Sequence, residues 1–463
     1  MNIKIKFAAL ATAAWALSSF GDASISQVAV RQQWPWSTKI NVDFTLANET
    51  GGAVDVTVAA TNGNTEVVLP DAAQSGNRIG LSSSGNYRIV IDPAKLNLGA
   101  ATVLGDFKVS LSVAPSRADY DEVLYRIYAL DGSTPARTDV TVADLLNGKY
   151  GAYETNYTYA NGGVWNPANV LIWTGVTNNP AYKTTKLVMR HIPAGTYPWY
   201  DGWGRNNKQT NEMTNDFYIG VFELTQGQWA EVVPERPRPS YLANLTYRAA
   251  RPVEQVCYND IRCADCTVAT SGTGQNAMGP DTAGGLYPDP PYTGSFLDRL
   301  RSRTGVDFDL PSETQWEFAC RAGHGDGKYG NGSAILNSNT SDANLAPQTR
   351  YLYNNASNNT NPGVNADTTM GTVTVGSCVP NDWGLYEMLG NVMELCLDKY
   401  QADVSGLAGA VKVDSSLTSV VGKGGHFVHT ASSLRPAYRT DYEMNKRHRP
   451  QLGFRVACRA GLD

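Results

Sequence analysis

His426 and His429, in the stretch VGKGGHFVHTASSLRPAYR (residues 421–439), are the side chains of this sequence best suited to chemistry. Imidazole binds transition metals and carries protons near neutral pH. A third donor, such as Asp441 or His448, would complete a metal site. Three-residue spacing puts two side chains on one face of a helix, not of a strand. The preceding SVVGKGG reads as strand and turn, so an exposed, unconverged histidine pair is the alternative. A second group is Asn391 and Glu394 in LGNVMEL. With the carbonyls of Leu389 and Val392 they offer the hard oxygens calcium requires, and Gly390 lets the chain bend around an ion. The plainer reading is that both side chains satisfy turn backbone and a neighbouring arginine. A third group, Cys263-x-x-Cys266, fits a small disulfide loop, a redox pair or half a zinc site. No second C-x-x-C is present to complete the zinc site.

These residues must be held by more than one core, since 463 residues point to two or three domains. Charged residues make up 17%, and there are 44 glycines and 24 tyrosines, a mix that suits a strand- and loop-rich extracellular protein. A net charge of -5 gives no reason to expect nucleic acid or an anionic membrane as partner. At the start, Lys4 and Lys6 precede an apolar run from Phe7 to Leu17, and Gly21-Asp22-Ala23 ends in small residues. This is read as a secretory signal peptide over 1–23, too short to span a membrane as a mature helix. The expected location is secreted, periplasmic or cell-surface, with no transmembrane segment after cleavage. Seven cysteines follow, an odd number whose pairing the sequence alone does not fix.

Residues 24–115 alternate apolar and polar side chains in KINVDFTLAN, AVDVTVAAT, YRIVIDP and FKVSLSVA, separated by Gly, Asn and Asp. They predict an antiparallel β-sandwich. Trp34 and Trp36 either pack on it or line a groove. Residues 116–184 read as a connecting region, with YDEVLYRIYAL a strand and TVADLLNG a helical turn or two. Beyond 185, Thr225 with Gln228 and Ser312 with Gln315 are capping boxes that open helices. The second helix places Trp316 and Cys320 on one face. GLYEMLGNVMEL reads as a short amphipathic piece broken at Gly390, and QLGFRVAC as a closing strand with Phe454, Val456 and Cys458 on one side.

IPAGTY, DFYIGVFELTQGQW, LPSETQWEFACRAG, NDWGLYEMLGNVMEL, GKGGHF and LGFRVA occur in the order found in formylglycine-generating enzymes, the sulfatase-modifying factors. Residues 185–463 resemble that family. The resemblance implies a mixed protein, all-β at its N-terminus, with a C-terminal irregular α+β domain that is a variant of the C-type lectin fold. It implies structural calcium at Asn391 and Glu394, and a second calcium site at Asn344-Leu345 completed from residues 350–370. It also implies a disulfide between Cys320 and Cys458. The family's oxidase holds Cu(I) with two cysteines after a double glycine, and soft thiolate suits that ion. Aligned on Gly424-Gly425, the first cysteine falls on His429 and the second on Leu434, so copper is not expected. LRPAYR resembles members without the cysteine pair, in which a segment before GFR binds ligand. That makes His426, His429, Arg435, Arg439, Tyr442, Arg447 and His448 the candidate surface for a glycan or protein ligand. Arg435, Arg439 and Arg455 also read as internal ion-pair partners. The alternatives are a metal-dependent modifying enzyme with a rearranged site, or a structural surface component.

Overall fold

The computed structural model describes residues 19–20, 23–32, 37–49, 52–70, 73–96, 98, 104–116, 118–155, 171–199, 209–236, 239–263, 277–278, 285–325, 327–336, 340–355, 363, 365–402, 414, 416–448 and 450–460. The apolar run Phe7–Leu17, Trp34, Trp36 and Cys266 lie outside them. No helix among the described residues is long and apolar enough to cross a membrane. The chain forms two compact units. One comprises 1–124, 140–158 and 171–176; the other comprises 125–139, 159–170 and 177–463.

The first unit contains β1 (Ser19–Phe20), β2 (Ala23–Gln32), β3 (Ile40–Ala47), β4 (Val54–Asn62), β5 (Thr65–Val67), β6 (Gln74–Gly76), β7 (Gly85–Ile91) and β8 (Phe107–Pro115). They make an antiparallel sheet in the order β1-β2-β3-β7-β6 and another in the order β5-β4-β8. The period-two pattern decides what each strand buries. Ile40, Val42, Phe44 and Leu46 of β3 share one apolar core with Val54, Val56, Val58 and Ala60 of β4, while alternate residues stay outside it.

The stretch read as a connector is not only that. β9 (Val123–Ala129) pairs through residues 125–129 with a strand of the second unit, and its side chains are buried at successive positions from Leu124 on, as in a sheet covered on both faces. β10 (Arg137–Thr141) lies beside it, and α1 (Val142–Leu146) is the expected short helix, opened by a Thr141–Asp144 capping box.

The second unit is mixed and strand-rich, with few helices. β9 and β10 join β11 (Lys186–Ile192), β12 (Phe217–Gly220) and β17 (Ala457–Arg459) in the order β10-β9-β11-β12-β17. A second sheet runs β15-β14-β13-β16, with β13 Met393–Lys399, β14 Ser419–Lys423, β15 Arg439–Glu443 and β16 Leu452–Gly453. α2 (Gln226–Val232) and α4 (Glu313–Arg321) begin at the two predicted capping boxes, with α3 (Phe296–Thr304) between them. Each cap is worth about 1 kcal/mol.

Two apolar clusters lie against opposite faces of these strands, and side-chain alternation sorts residues between them. Leu187, Met189, Tyr218, Val420, Val456 and Cys458 enter one cluster. Phe217, Ile219, Val421, Ala457, Trp316 and Cys320 enter the other. GLYEMLGNVMEL, read as an amphipathic piece, is buried but forms no helix, and its last three residues begin β13. Glu387, Gly390 and Asn391 all have φ between +46° and +70°, and a helix cannot continue through left-handed residues. At Gly390 a side chain would collide with the Arg350 carbonyl oxygen, which explains glycine there.

Candidate functional site

β14 ends in Gly424 and Gly425, with φ of +85° and +71°. A Cβ on Gly424 would stand 2.8 Å from the Met388 carbonyl oxygen, so the turn packs too tightly for any other residue. The tight turn that follows, with the His429 N–H donating to the His426 carbonyl at 2.9 Å, brings the two imidazoles face to face. Their ring centroids are 3.6 Å apart and their planes 27° apart. The pair is therefore neither exposed nor unconverged. His426 is buried, and His429 is half-buried with Tyr438 edge-on at 6.1 Å. His429 Nδ1 is buried and has no hydrogen-bond partner among the described residues. No cluster of three His, Cys, Asp or Glu side chains able to hold a metal occurs among the described residues. Leu434, where the resemblance leads us to expect the second cysteine's position, is fully buried in the apolar cluster with Trp316.

Burial, with the neighbouring His429 and His448, pushes His426 well below the usual imidazole pKa, and burial pushes His429 down to about 4. The unfolded chain therefore takes up protons first as pH falls. Stability from these neutral rings is complete above the ordinary value near 6.5 and is lost as pH drops from there towards about 4. We expect a loss of about 1–3 kcal/mol across that window. Urea melts at stepped pH should show it, and His429→Gln should flatten the slope. An equal slope in the variant would contradict the assignment.

Asn391 and Glu394 are hydrogen-bonded to groups from distant parts of the chain. Glu394 accepts from Arg455 Nε at 2.6 Å and Nη2 at 2.7 Å, and from Trp316 Nε1 at 2.7 Å. Asn391 Oδ1 accepts from the Val373 N–H at 2.9 Å, while its Nδ2 donates to Glu223 at 2.6 Å. The Leu389 carbonyl accepts from Thr349 Oγ1, and the Val392 N–H donates to Glu223 at 3.0 Å. The Asn391 and Glu394 side chains and the Leu389 carbonyl are thus hydrogen-bonded within the protein. Glu223 and Glu387 were not legible as site residues. Burial, then the Glu394 and Glu387 carboxylates, push Glu223 well above the usual range, and burial raises Glu387. The signal available was a glutamate inside the apolar run GVFELT. At the second expected site Leu345 is buried, and Asn344 Nδ2 donates to the Ala334 carbonyl at 2.8 Å.

Of the seven residues of the expected recognition surface, His426 and Arg447 are buried and the other five are half-buried. Arg447 is 1% exposed and forks onto Asp260, with Nε at 2.7 Å from Oδ2. Arg439 forks onto Glu313 at 2.6 and 2.8 Å and lies over the Tyr400 ring. Arg439 and Arg455 are internal ion-pair partners as read, and Arg447 joins them. Arg435 is half-buried, with its Nε lacking a hydrogen-bond partner among the described residues. Tyr442 and His448 pack edge to face at 4.8 Å, both half-buried. A different opening lies beside β17. It is a cavity of about 460 Å³ lined by Asp216, Arg301, Asp307, Asp309, Gln315 and Arg459 among others. Asp309 is fixed there by Arg262 at 2.9 Å and Arg301 at 3.1 Å. Of the candidate site residues only Cys458 reaches it.

Cys320 and Cys458 form no disulfide, and nor do Cys257, Cys263, Cys378 and Cys396. The expected bridge fails for a reason of strand geometry. Phe454, Val456 and Cys458 do share one side, but it is the side away from Cys320, which packs with Ala457. Burial pushes the Cys320 thiol up and Cys263 up to about 12, so neither is an available nucleophile at neutral pH.

A strand-rich domain with short capped helices, a double-glycine turn and a buried glutamate–arginine pair behind it defines the class. The chain belongs to the family with a Sulfatase-modifying factor enzyme 1-like domain, which matches residues 176–460. It is 29% identical to a formylglycine-generating enzyme of Thermomonospora curvata over 139 residues, 29% of this chain and 43% of that protein. It is 22% identical to chaperone protein LppX of Paenibacillus barcinonensis over 258 residues, covering 53% of this chain and 81% of the relative. The chain thus spans under half the length of the first relative and about four fifths of the second. Among solved structures, Treponema denticola variable protein 1 aligns with a TM-score of 0.42 at 21% identity, covering 59% of this chain and 96% of that one. PvdO from Pseudomonas aeruginosa aligns with 0.39 at 18%, covering 59% and 94%.

Proposed function

We propose that this chain is an exported sulfatase-modifying-factor-like protein that binds a glycan or protein ligand and has lost the family's oxidase chemistry. In this reading the N-terminal unit is a β-sandwich stalk, and the C-terminal unit, a C-type-lectin variant, carries the binding site. The observation that carries it is Leu434. An alkyl side chain sealed in the core stands where the resemblance puts a copper thiolate, with an imidazole at the other thiolate position. Ligand contact falls to the half-buried part of the expected surface, His429, Arg435, Arg439, Tyr442 and His448, and to the polar cavity beside β17. A structural calcium ion, implied by the family, would sit at Asn344 and the Leu345 carbonyl. The Asn344 side-chain oxygen has no partner among the described residues.

The test is Cu(I) supplied to purified protein with a cysteine peptide of the sulfatase type, followed by oxygen consumption and peptide mass. No oxygen uptake and no cysteine-to-aldehyde mass change are expected. Turnover would overturn the reading. A second reading, metal-dependent modification at His426 and His429, is favoured by the unpartnered Nδ1 of His429. The same experiment run with Cu(II) and Zn(II), and with His429→Gln, decides it.

A further inference from the structure

The outer face of the β2-β3-β7 sheet in the first unit holds a depression of about 480 Å³ lined by Gln27, Asp43, Thr45, Asn77, Asn86 and Arg88 among others. Alternation alone makes this face polar, since Asp43 and Thr45 stand on the opposite side of β3 from the core residues Val42, Phe44 and Leu46. Its detail is less ordinary. The β2–β3 register shifts between Ser26 and Ala29, a bulge in which Gln27 takes φ +51°. A left-handed glutamine costs free energy, and bulges recur where a side chain has to be re-aimed. The result is that the Thr45 hydroxyl lies between two carboxamides, 3.2 Å from Gln27 Oε1 and 2.7 Å from Asn86 Oδ1. Thr45 has a single O–H, which serves Asn86 at 2.7 Å, so the Gln27 amide at 3.2 Å pairs with the hydroxyl by donating to its oxygen. The other end of each amide and the Asn77 side chain line the depression. One step along the same strands, Asp43 is gripped by Arg88 and Arg31.

We infer that this face of the N-terminal unit is a binding site for an oligosaccharide. Each sugar hydroxyl is both donor and acceptor. Neighbouring carboxamides, and a carboxylate fixed between two guanidiniums, supply both kinds of group in one plane. Thr45 already orders two of the amides, so binding loses little side-chain entropy. The volume lies in the range of small-molecule sites. Asp43 and Arg88 balance in the lining, Arg31 adds one positive charge beside it, and the rings of Phe44 and Tyr87 border the depression, a set that suits a neutral or a singly acidic sugar.

Titration calorimetry of the full chain with cellohexaose, mannohexaose, chitohexaose and hexagalacturonate tests this. At least one should bind at millimolar Kd or tighter. Asn86→Ala and Gln27→Ala should each weaken that binding at least fivefold with Tm unchanged, while Tyr442→Ala, in the other unit, leaves it alone. If none of the four binds, or if binding survives the Gln27→Ala/Asn86→Ala pair, the inference is wrong. Binding lost only with Tyr442→Ala overturns it too, while supporting a ligand site in the C-terminal unit.

Discussion

Arg455→Met should cost the C-terminal unit about 3–5 kcal/mol in guanidinium unfolding, because it leaves a buried carboxylate without its cation. Arg455 is fully buried and donates to Glu394 through two nitrogens, to the Gly220 carbonyl at 2.9 Å and to the Tyr386 carbonyl at 3.0 Å. Glu223 and Glu387 lie close enough to feel the same charge. Removing the guanidinium therefore strands one fully paired carboxylate and worsens the repulsion on two others. Removing both partners is a different matter, since an apolar pair of similar volume can replace a buried ion pair at little cost. Arg455→Met combined with Glu394→Gln should recover a large part of the loss. A single-variant loss below about 1 kcal/mol, or no recovery in the double variant, would show that the pair is not the buried, desolvated contact described.

Arg447→Met should destabilise by about 2–4 kcal/mol, and should reduce any ligand affinity only in proportion to the protein it unfolds. Burial pushes the Asp260 carboxyl up, but Arg447, then Arg236, hold it below its usual range. Arg236 remains at 3.1 Å in the variant, so the cost is smaller than at Arg455. Asp260→Asn in the Arg447→Met background removes the stranded charge and should restore part of the stability. Tyr442→Ala supplies the contrast, since a ligand residue there would change affinity at constant Tm. Should Arg447→Met fold as stably as the parent chain yet bind less, the arginine faces ligand and not Asp260.

Local chemistry was legible and distant pairing was not. Thr225 with Gln228 and Ser312 with Gln315 are three apart, and both caps form as read. The strands of the first unit follow their period, and the side that Cys458 faces follows from counting by two. What the count cannot supply is which cluster lies on that side, so the bridge to Cys320 that the resemblance implied meets a cysteine on the opposite side. Arg447 and Asp260 are separated by 187 residues, and nothing in KRH or YND announces the other. An arginine beside tyrosine and histidine reads as a contact surface in isolation and becomes core only when the fold delivers a carboxylate to it. The histidine pair failed for the opposite reason. Its spacing argued against convergence on any regular element, and a double-glycine turn is not regular.

The sheet that carries β9, β11, β12 and β17 is loaded with apolar side chains on both sides, so it has no blank wall left to show the outside world. What approaches the C-terminal unit is left with its hem: turns, loop ends and the open border strand β15, whose side chains reach solvent. Those margins can be rewritten residue by residue without disturbing the two oil layers beneath, which leaves one frame free to present many different outlines.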